Sequence, residues 1–263
     1  MTAPVLSVRD LAVHFGGVTA LAGVSFDVAP GSVTALIGPN GAGKTTAFNA
    51  ITGFLRPSRG TVLYRGAPLT GLRPPEIARR GVVRTFQRTS VFPALSVLDN
   101  VRTGLHLRGS AGLWAILAGA PRVRAEEARL DAEARAILAF VGLTHRAHEP
   151  ASALPYGEQR LVELAVALAA GPALLLLDEP AAGMTGAEKA AVSALIQRIR
   201  AQGVTVLLVE HDMRLVMGIS DTVIVLHHGA VIATGPPAEI QAHPEVIRAY
   251  LGAARAPAGL GRG

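Results

Sequence analysis

The chain has 263 residues, half of them hydrophobic, 4% aromatic and none cysteine, so a core of Leu, Val, Ile and Ala is available while disulfides and thiolate metal sites are excluded. Its formal charge is +6, carried almost wholly by arginine, since Lys44 and Lys189 are its two lysines. A basic balance suits nucleic acid or a membrane surface, but no dense basic cluster appears, and the expectation is a solvated surface without a nucleic-acid partner. Residues 1–30 lack the charged start and long apolar run of a secretory signal. The longest greasy stretch, Leu161–Leu177, is broken by Glu163, Gly171 and Pro172, and falls short of the roughly 20 apolar residues that span a bilayer. A chain soluble by itself is expected.

In chain order the first strong signal is Val33-Thr-Ala-Leu-Ile37, an apolar run that reads as a buried strand. It runs into Gly38-Pro39-Asn40-Gly41-Ala42-Gly43-Lys44-Thr45-Thr46, and no helix breaker follows until Gly53. Strand, Gly-x-x-x-x-Gly-Lys-Thr and helix in that order form a phosphate-binding loop. The backbone must wrap phosphates with its N–H groups inward, so Cβ atoms would crowd it, and glycine also reaches the positive φ that the turn needs. The helix then presents its N-terminus to the same anion. Lys44 is assigned to the β- and γ-phosphates and the Thr45 hydroxyl to Mg²⁺. This fixes a nucleoside triphosphate but no reaction, because kinases, GTPases, recombinases and transport ATPases share the loop.

Further along, Ala173-Leu-Leu-Leu-Leu-Asp-Glu-Pro180 is an unalternating apolar run that ends in two acids. It predicts a central parallel strand covered on both faces, with Asp178 at its carboxyl end, where ligands of such sheets gather. Asp178 is placed on Mg²⁺, directly or through water, and Glu179 as general base on the attacking water. Thr185 with Glu188 three residues on predicts a capping box, opening a helix whose core face is Val192, Leu195, Ile196 and Ile199. Val204–Val209 reads as another strand, ending in Glu210-His211-Asp212. His211 either senses the γ-phosphate there or is structural. Thr222–Leu226 and Val231–Thr234 read as a strand pair, with His228-Gly229 as its turn.

The succession of residues 38–45, Gln87, Leu-Pro-Tyr-Gly-Glu-Gln-Arg at 154–160, Leu-Leu-Leu-Leu-Asp-Glu-Pro at 174–180 and Val-Glu-His-Asp at 209–212 resembles the ATP-binding cassette (ABC) ATPases over about residues 5–252. The resemblance implies an α/β P-loop core around a mainly parallel sheet, with antiparallel strands near the N-terminus and a helical lobe at about 89–154 ending at the signature. It implies one cassette domain over 4–252 and a flexible tail over 253–263. It implies that Phe15 stacks on adenine, and that Gln87 touches Mg²⁺ and links the nucleotide to a transmembrane partner. Leu154, Pro155, Tyr156, Gly157, Glu158 and Gln159 fall on the signature, which caps ATP held by a second subunit in a head-to-tail dimer. Here Pro155, Tyr156 and Glu158 replace the common serine, first glycine and glutamine, so phosphate contact leans on Gly157 and on the helix that follows. That helix is expected to bury Leu161, Leu164, Ala165 and Leu168. Thr185 replaces the usual aspartate of the D-loop.

These departures, with Arg-Thr-Phe-Gln at 84–87, Asp-Glu-Pro-Ala-Ala-Gly-Met at 178–184, the ending Val-Ile-Arg-Ala-Tyr-Leu-Gly at 246–252 and a long segment at about Leu107–Arg129 bearing Trp114, look like the longer-insert ATPase of branched-chain amino-acid importers. The resemblance then implies ATP and Mg²⁺ as cofactors and a second ABC ATPase, identical or different, as dimer partner. It also implies permease subunits, an extracytoplasmic solute-binding protein, and a place on the cytoplasmic face of the bacterial inner membrane. Urea or amide importers, lipid or lipopolysaccharide exporters and soluble ABC ATPases are the alternatives.

Overall fold

The computed structural model describes residues 3–85, 91–105 and 121–254. Gln87, Trp114 and most of the 107–129 segment lie outside them. The strands and helices run, in chain order, β1 (Leu6–Phe15), β2 (Val18–Val28), β3 (Val33–Ile37), α1 (Lys44–Ile51), β4 (Arg59–Tyr64), β5 (Ala67–Pro68), α2 (Pro74–Arg79), β6 (Val82–Arg84), α3 (Val97–Leu105) and α4 (Pro121–Val141). There follow α5 (Tyr156–Ala169), β7 (Leu174–Asp178), α6 (Gly186–Ala201), β8 (Thr205–Val209), α7 (Met213–Ile219), β9 (Thr222–His227), β10 (Ala230–Gly235), α8 (Pro237–Ala242) and α9 (Pro244–Ala254). They form two compact units, one of residues 1–74 with 205–263 and one of residues 75–204.

The first unit holds the expected antiparallel strands, ordered β2-β1-β4-β5, and a second set ordered β10-β9-β3-β8. β3 pairs in parallel with both β8 and β9. All five residues of β3 and of β8 are buried, as unalternating apolar runs require. β9 and β10 join antiparallel through His228-Gly229, whose φ angles of +47° and +77° are those of a two-residue hairpin turn.

The second unit pairs β6 with β7 in parallel and packs α3, α4 and α5 against one another. α6 begins with the capping box: the Thr185 hydroxyl accepts from Glu188 N–H, and the Glu188 carboxylate accepts from Thr185 N–H at 2.8 Å. Its buried residues are Val192, Leu195, Ile196 and Ile199, as the sequence predicts. α5 departs from expectation. Leu164 and Ala165 are buried, but Leu161 and Leu168 are half-exposed, while Val162, Arg160 and Glu163 are buried. The helix is covered by both α3 and α4, so no single apolar stripe describes its inward surface.

A close backbone approach in this lobe is at Gly104 of α3, where an added Cβ would overlap the Val166 carbonyl and stand 2.8 Å from the Ala169 Cβ of α5. Backbone cannot yield as a side-chain tip can. Gly104→Ala is expected to destabilise the chain by about 1–3 kcal/mol, whereas Gly186→Ala, with nothing within 4 Å of the new methyl, should be neutral or slightly stabilising. Urea unfolding of the two variants checks this; equal midpoints would refute the close packing.

Candidate active site

The loop after β3 is shaped by what surrounds it. Gly38 has φ +154°, and a Cβ there would overlap the Leu226 carbonyl oxygen of β9. Gly43, at φ +104°, would place a Cβ 2.7 Å from both the Ala20 carbonyl oxygen and Leu21 Cδ2. From outside, Gly229 N–H donates to the Ala42 carbonyl at 3.0 Å, and Ala22 N–H donates to the Gly229 carbonyl at 2.8 Å. The β9–β10 turn and β2 therefore buttress the loop. Its mouth is open, since Asn40, Gly41 and Thr45 are exposed and a Cβ on Gly41 would meet nothing within 4 Å.

Lys44 is buried, and its ammonium donates to the Gly38 carbonyl at 2.7 Å and the Pro39 carbonyl at 3.0 Å. The first turn of α1 has no side-chain cap and no acidic residue. Ala47 N–H makes the first bond back along the helix, to Gly43 at 2.9 Å, so the amides ahead of it lie at the positive end of the helix dipole. A turn closed to Cβ atoms at Gly38 and Gly43, a buried cation and an acid-free helix N-terminus fit a phosphate chain.

Because β8 runs parallel to β3, with Leu36 opposite Val209, His211 and the phosphate loop lie at the same end of this sheet. His211 is exposed. Glu210 beside it is buried, and its carboxylate accepts the N–H groups of His211 at 2.9 Å and Asp212 at 3.4 Å. Asp212 in turn caps α7 through Arg214 and Leu215 N–H. Phe15 ends β1 and is 53% exposed, as a residue available for stacking would be. Tyr250 of α9 was not singled out by sequence. Its hydroxyl bonds the backbone of Gly38, and burial pushes its pKa up to about 12.

In the second unit, Asp178 and Glu179 have different settings. Asp178 is 2% exposed. Its Oδ2 accepts from Arg84 Nη2 at 2.7 Å, its N–H donates to the Thr85 hydroxyl at 3.3 Å, and its Oδ1 has no hydrogen-bond partner among the described residues. An orphaned buried carboxylate oxygen fits a hard, oxygen-seeking cation such as Mg²⁺. Glu179 is half-exposed, with φ +51°. The left-handed region costs a non-glycine residue about 1–2 kcal/mol, and such strain collects at functional positions. The sequence motif at 84–87 assigns Arg84 no role of its own; a charged residue directly after Val82-Val83 is the signal that marks it.

The signature residues are engaged within their own unit. Leu154 is buried, and Pro155 is the extended residue before α5. The Tyr156 ring lies against Gly183, and its hydroxyl accepts from Arg160 Nε at 3.0 Å. Glu158 pairs with Arg146 at 3.0 Å, and the Gln159 amide turns back to the Leu154 carbonyl at 2.8 Å. Gly157 is buried, and a Cβ there would overlap the Glu188 carboxylate. The Thr185 bonds hold that carboxyl below its ordinary pKa.

A family model described as "ABC transporter" matches residues 21–182, and one described as "Branched-chain amino acid ATP-binding cassette transporter" matches residues 230–256. The chain is 44% identical to the high-affinity branched-chain amino acid transport ATP-binding protein LivG of Escherichia coli (strain K12), over 97% of this chain and 100% of that one. It is 43% identical to BraF of Pseudomonas aeruginosa, with the same name of function and the same coverage of this chain, 97%. Among solved structures it is similar to the ADP conformation of MJ1267, an ATP-binding cassette of an ABC transporter, with TM-score 0.84, 32% identity, and 95% and 100% of the two chains covered.

Lys44→Ala removes the buried cation and is expected to weaken ATP binding by about ten- to a hundredfold, the range for a charge-assisted hydrogen bond. Titration with a fluorescent ATP analogue measures it, and near-normal affinity would contradict the phosphate-loop assignment. Gly157→Ala should push Glu188 off Thr185 and cost about 1 kcal/mol, the usual value of a lost cap. In Glu188→Ala, where that contact is already gone, the same substitution should cost far less; equal costs in both backgrounds would refute the contact.

Proposed function

The chain belongs to the ABC transporter ATP-binding family, and on that premise we propose that it is the ATP-hydrolysing subunit powering an importer of branched-chain or related amino acids. The observation that carries the reading is identity to LivG at 44% over 97% of this chain. A separate match of the C-terminal segment, residues 230–256, to the branched-chain cassette model supports it.

In this reading the loop from Gly38 through Pro39, Asn40, Gly41, Ala42 and Gly43 to Lys44, Thr45 and Thr46 binds the phosphates of ATP, and Phe15 stacks on adenine. The Lys44 ammonium exchanges the carbonyls of Gly38 and Pro39 for phosphate oxygens, an exchange between equivalent acceptors that spares it an unpaired buried state. Thr45, Gln87 and Asp178 hold Mg²⁺, whose chemistry when bound is to neutralise and organise the phosphate oxygens. Glu179, less buried than its neighbour, orients the attacking water and takes its proton. His211 reads the γ-phosphate side of the site. Leu154 to Gln159 serve a second ABC ATPase subunit, with Gly157 reached once that subunit approaches.

No helix among the described residues is long and apolar enough to cross a membrane. The proposed attachment is to permease subunits on the cytoplasmic face of the inner membrane, with an extracytoplasmic solute-binding protein delivering cargo. Affinity purification of the tagged chain from detergent-solubilised membranes tests this. Two permeases and a second ATPase should co-purify, and recovery with an exporter assembly or with ribosomes would overturn the reading.

Glu179→Gln keeps the side chain's shape and removes its charge. ATP affinity should persist, and turnover should fall by about 10²- to 10⁴-fold, as for loss of a positioned base. A dimer with ATP at its interface should accumulate when both ATPases are present. Binding, turnover and mass measured on one preparation decide it. Turnover near wild type would remove Glu179 from the chemistry and point to His211.

A further inference from the structure

Two buried ion pairs in the second unit border one small cavity. Arg84 and Asp178 meet at 2.7 Å with side chains 5% and 1% exposed. Arg160 and Glu163, on the α5 helix that begins at the signature, meet at 2.8 Å with side chains 8% and 6% exposed. The cavity is lined by Thr85, Arg160, Glu163, Leu164, Asp178 and Pro180. Charges out of water are costly unless each is held by an opposite charge in good geometry. Apolar residues would fill this space at lower cost, so the cluster calls for a use.

The settings of the individual groups indicate one. Arg84 engages Oδ2 of Asp178 and leaves Oδ1 without a hydrogen-bond partner among the described residues. The guanidinium thus fixes which carboxylate oxygen is presented and at what angle. On the other side of the cavity, Arg160 reaches Glu163 with Nη1 and the Tyr156 hydroxyl with Nε, its guanidinium lying 5.3 Å from the Tyr156 ring centre. The Tyr156 ring rests on Gly183 and is 44% exposed. A continuous set of polar contacts and cavity-lining side chains therefore runs from an exposed signature residue to the buried acid at the end of β7.

We propose that Arg84 is a positioning residue for Asp178, and that the Arg160–Glu163 pair links the setting of that carboxylate to Tyr156 of the signature. Displacing Tyr156 shifts Arg160, alters the field of Glu163 at the cavity, and changes how firmly Asp178 is presented to the metal. The proposal rests on the reading of Asp178 as a Mg²⁺-holding residue.

The test reads binding rather than turnover. ATP affinity of the full chain is titrated with and without Mg²⁺ for wild type, Asp178→Asn, Arg84→Lys, Arg84→Met and Tyr156→Phe. Asp178→Asn should lose the gain in affinity that Mg²⁺ brings. Arg84→Met should lose most of it, about tenfold, while metal-free affinity stays as in wild type. Arg84→Lys keeps the charge and protects the fold if the methionine variant does not accumulate, and it should lose several-fold, because an ammonium lacks the planar fork that fixes a carboxylate. Tyr156→Phe keeps the ring on Gly183, removes only the hydroxyl, and should raise the half-saturating Mg²⁺ in the same direction. A wild-type Mg²⁺ response in Arg84→Lys, with Asp178→Asn defective, overturns the positioning role while sparing the reading of Asp178. A wild-type response in Asp178→Asn overturns both. An unchanged Tyr156→Phe removes the link to the signature.

Discussion

A turn with no room for a side chain at Gly38 or Gly43 governs the first unit. The Leu226 carbonyl stands where a Cβ of Gly38 would be, and the Ala20 carbonyl stands 2.7 Å from where a Cβ of Gly43 would be. These are backbone atoms of neighbouring strands, so the loop cannot relax outward. It is left with one open direction, toward Asn40, Gly41 and Thr45. Packing of β2, β3 and the β9–β10 turn thus sets the conformation of a loop whose purpose is to offer amides and one ammonium to an anion. Lys44 keeps that arrangement closed on itself through the Gly38 and Pro39 carbonyls. In the proposed reading, phosphate binding swaps one set of acceptors for another and needs little rebuilding of the fold.

The second unit solves a different problem, which is to hold acids where acids are costly. Asp178 ends a strand buried along its whole length and is paired with Arg84 at 2.7 Å. Glu179, the next residue, is turned out of that environment by a left-handed backbone. Adjacent residues on one strand end thereby acquire unlike surroundings, one buried and one half-exposed, which is what the proposed division between metal holding and water activation needs. Both features depend on β7 stopping where it does, and Pro180 ensures that.

Much of this was legible in the sequence because it is local. An apolar run of strand length, a glycine at each strained turn, Thr185 with Glu188 three residues on, and the spacing of Val192, Leu195, Ile196 and Ile199 all encode their neighbourhoods within a few positions. What could not be read came from distant chain segments. Periodicity selected Leu161 and Leu168 on α5, but two covering helices take Arg160 and Glu163 inward instead. The contact of Gly157 with Glu188, and that of Tyr250 with Gly38, join segments with no sequence signal in common. The sequence alone marks Pro155, Tyr156 and Glu158 as departures from the common signature. Their partners, Arg146, Arg160 and Gly183, became visible only in three dimensions.

The central claim is that these two sets of residues act together to spend ATP on moving an amino acid. It is tested most directly by reconstituting the chain with its co-purifying ATPase, permeases and solute-binding protein in liposomes and following uptake of radiolabelled leucine. The account predicts uptake that requires ATP on the side of this chain, competes with isoleucine and valine but not with urea, and disappears when this chain carries Glu179→Gln. Uptake of leucine that proceeds unchanged with that substitution, or ATP-dependent movement of urea in place of leucine, would contradict it.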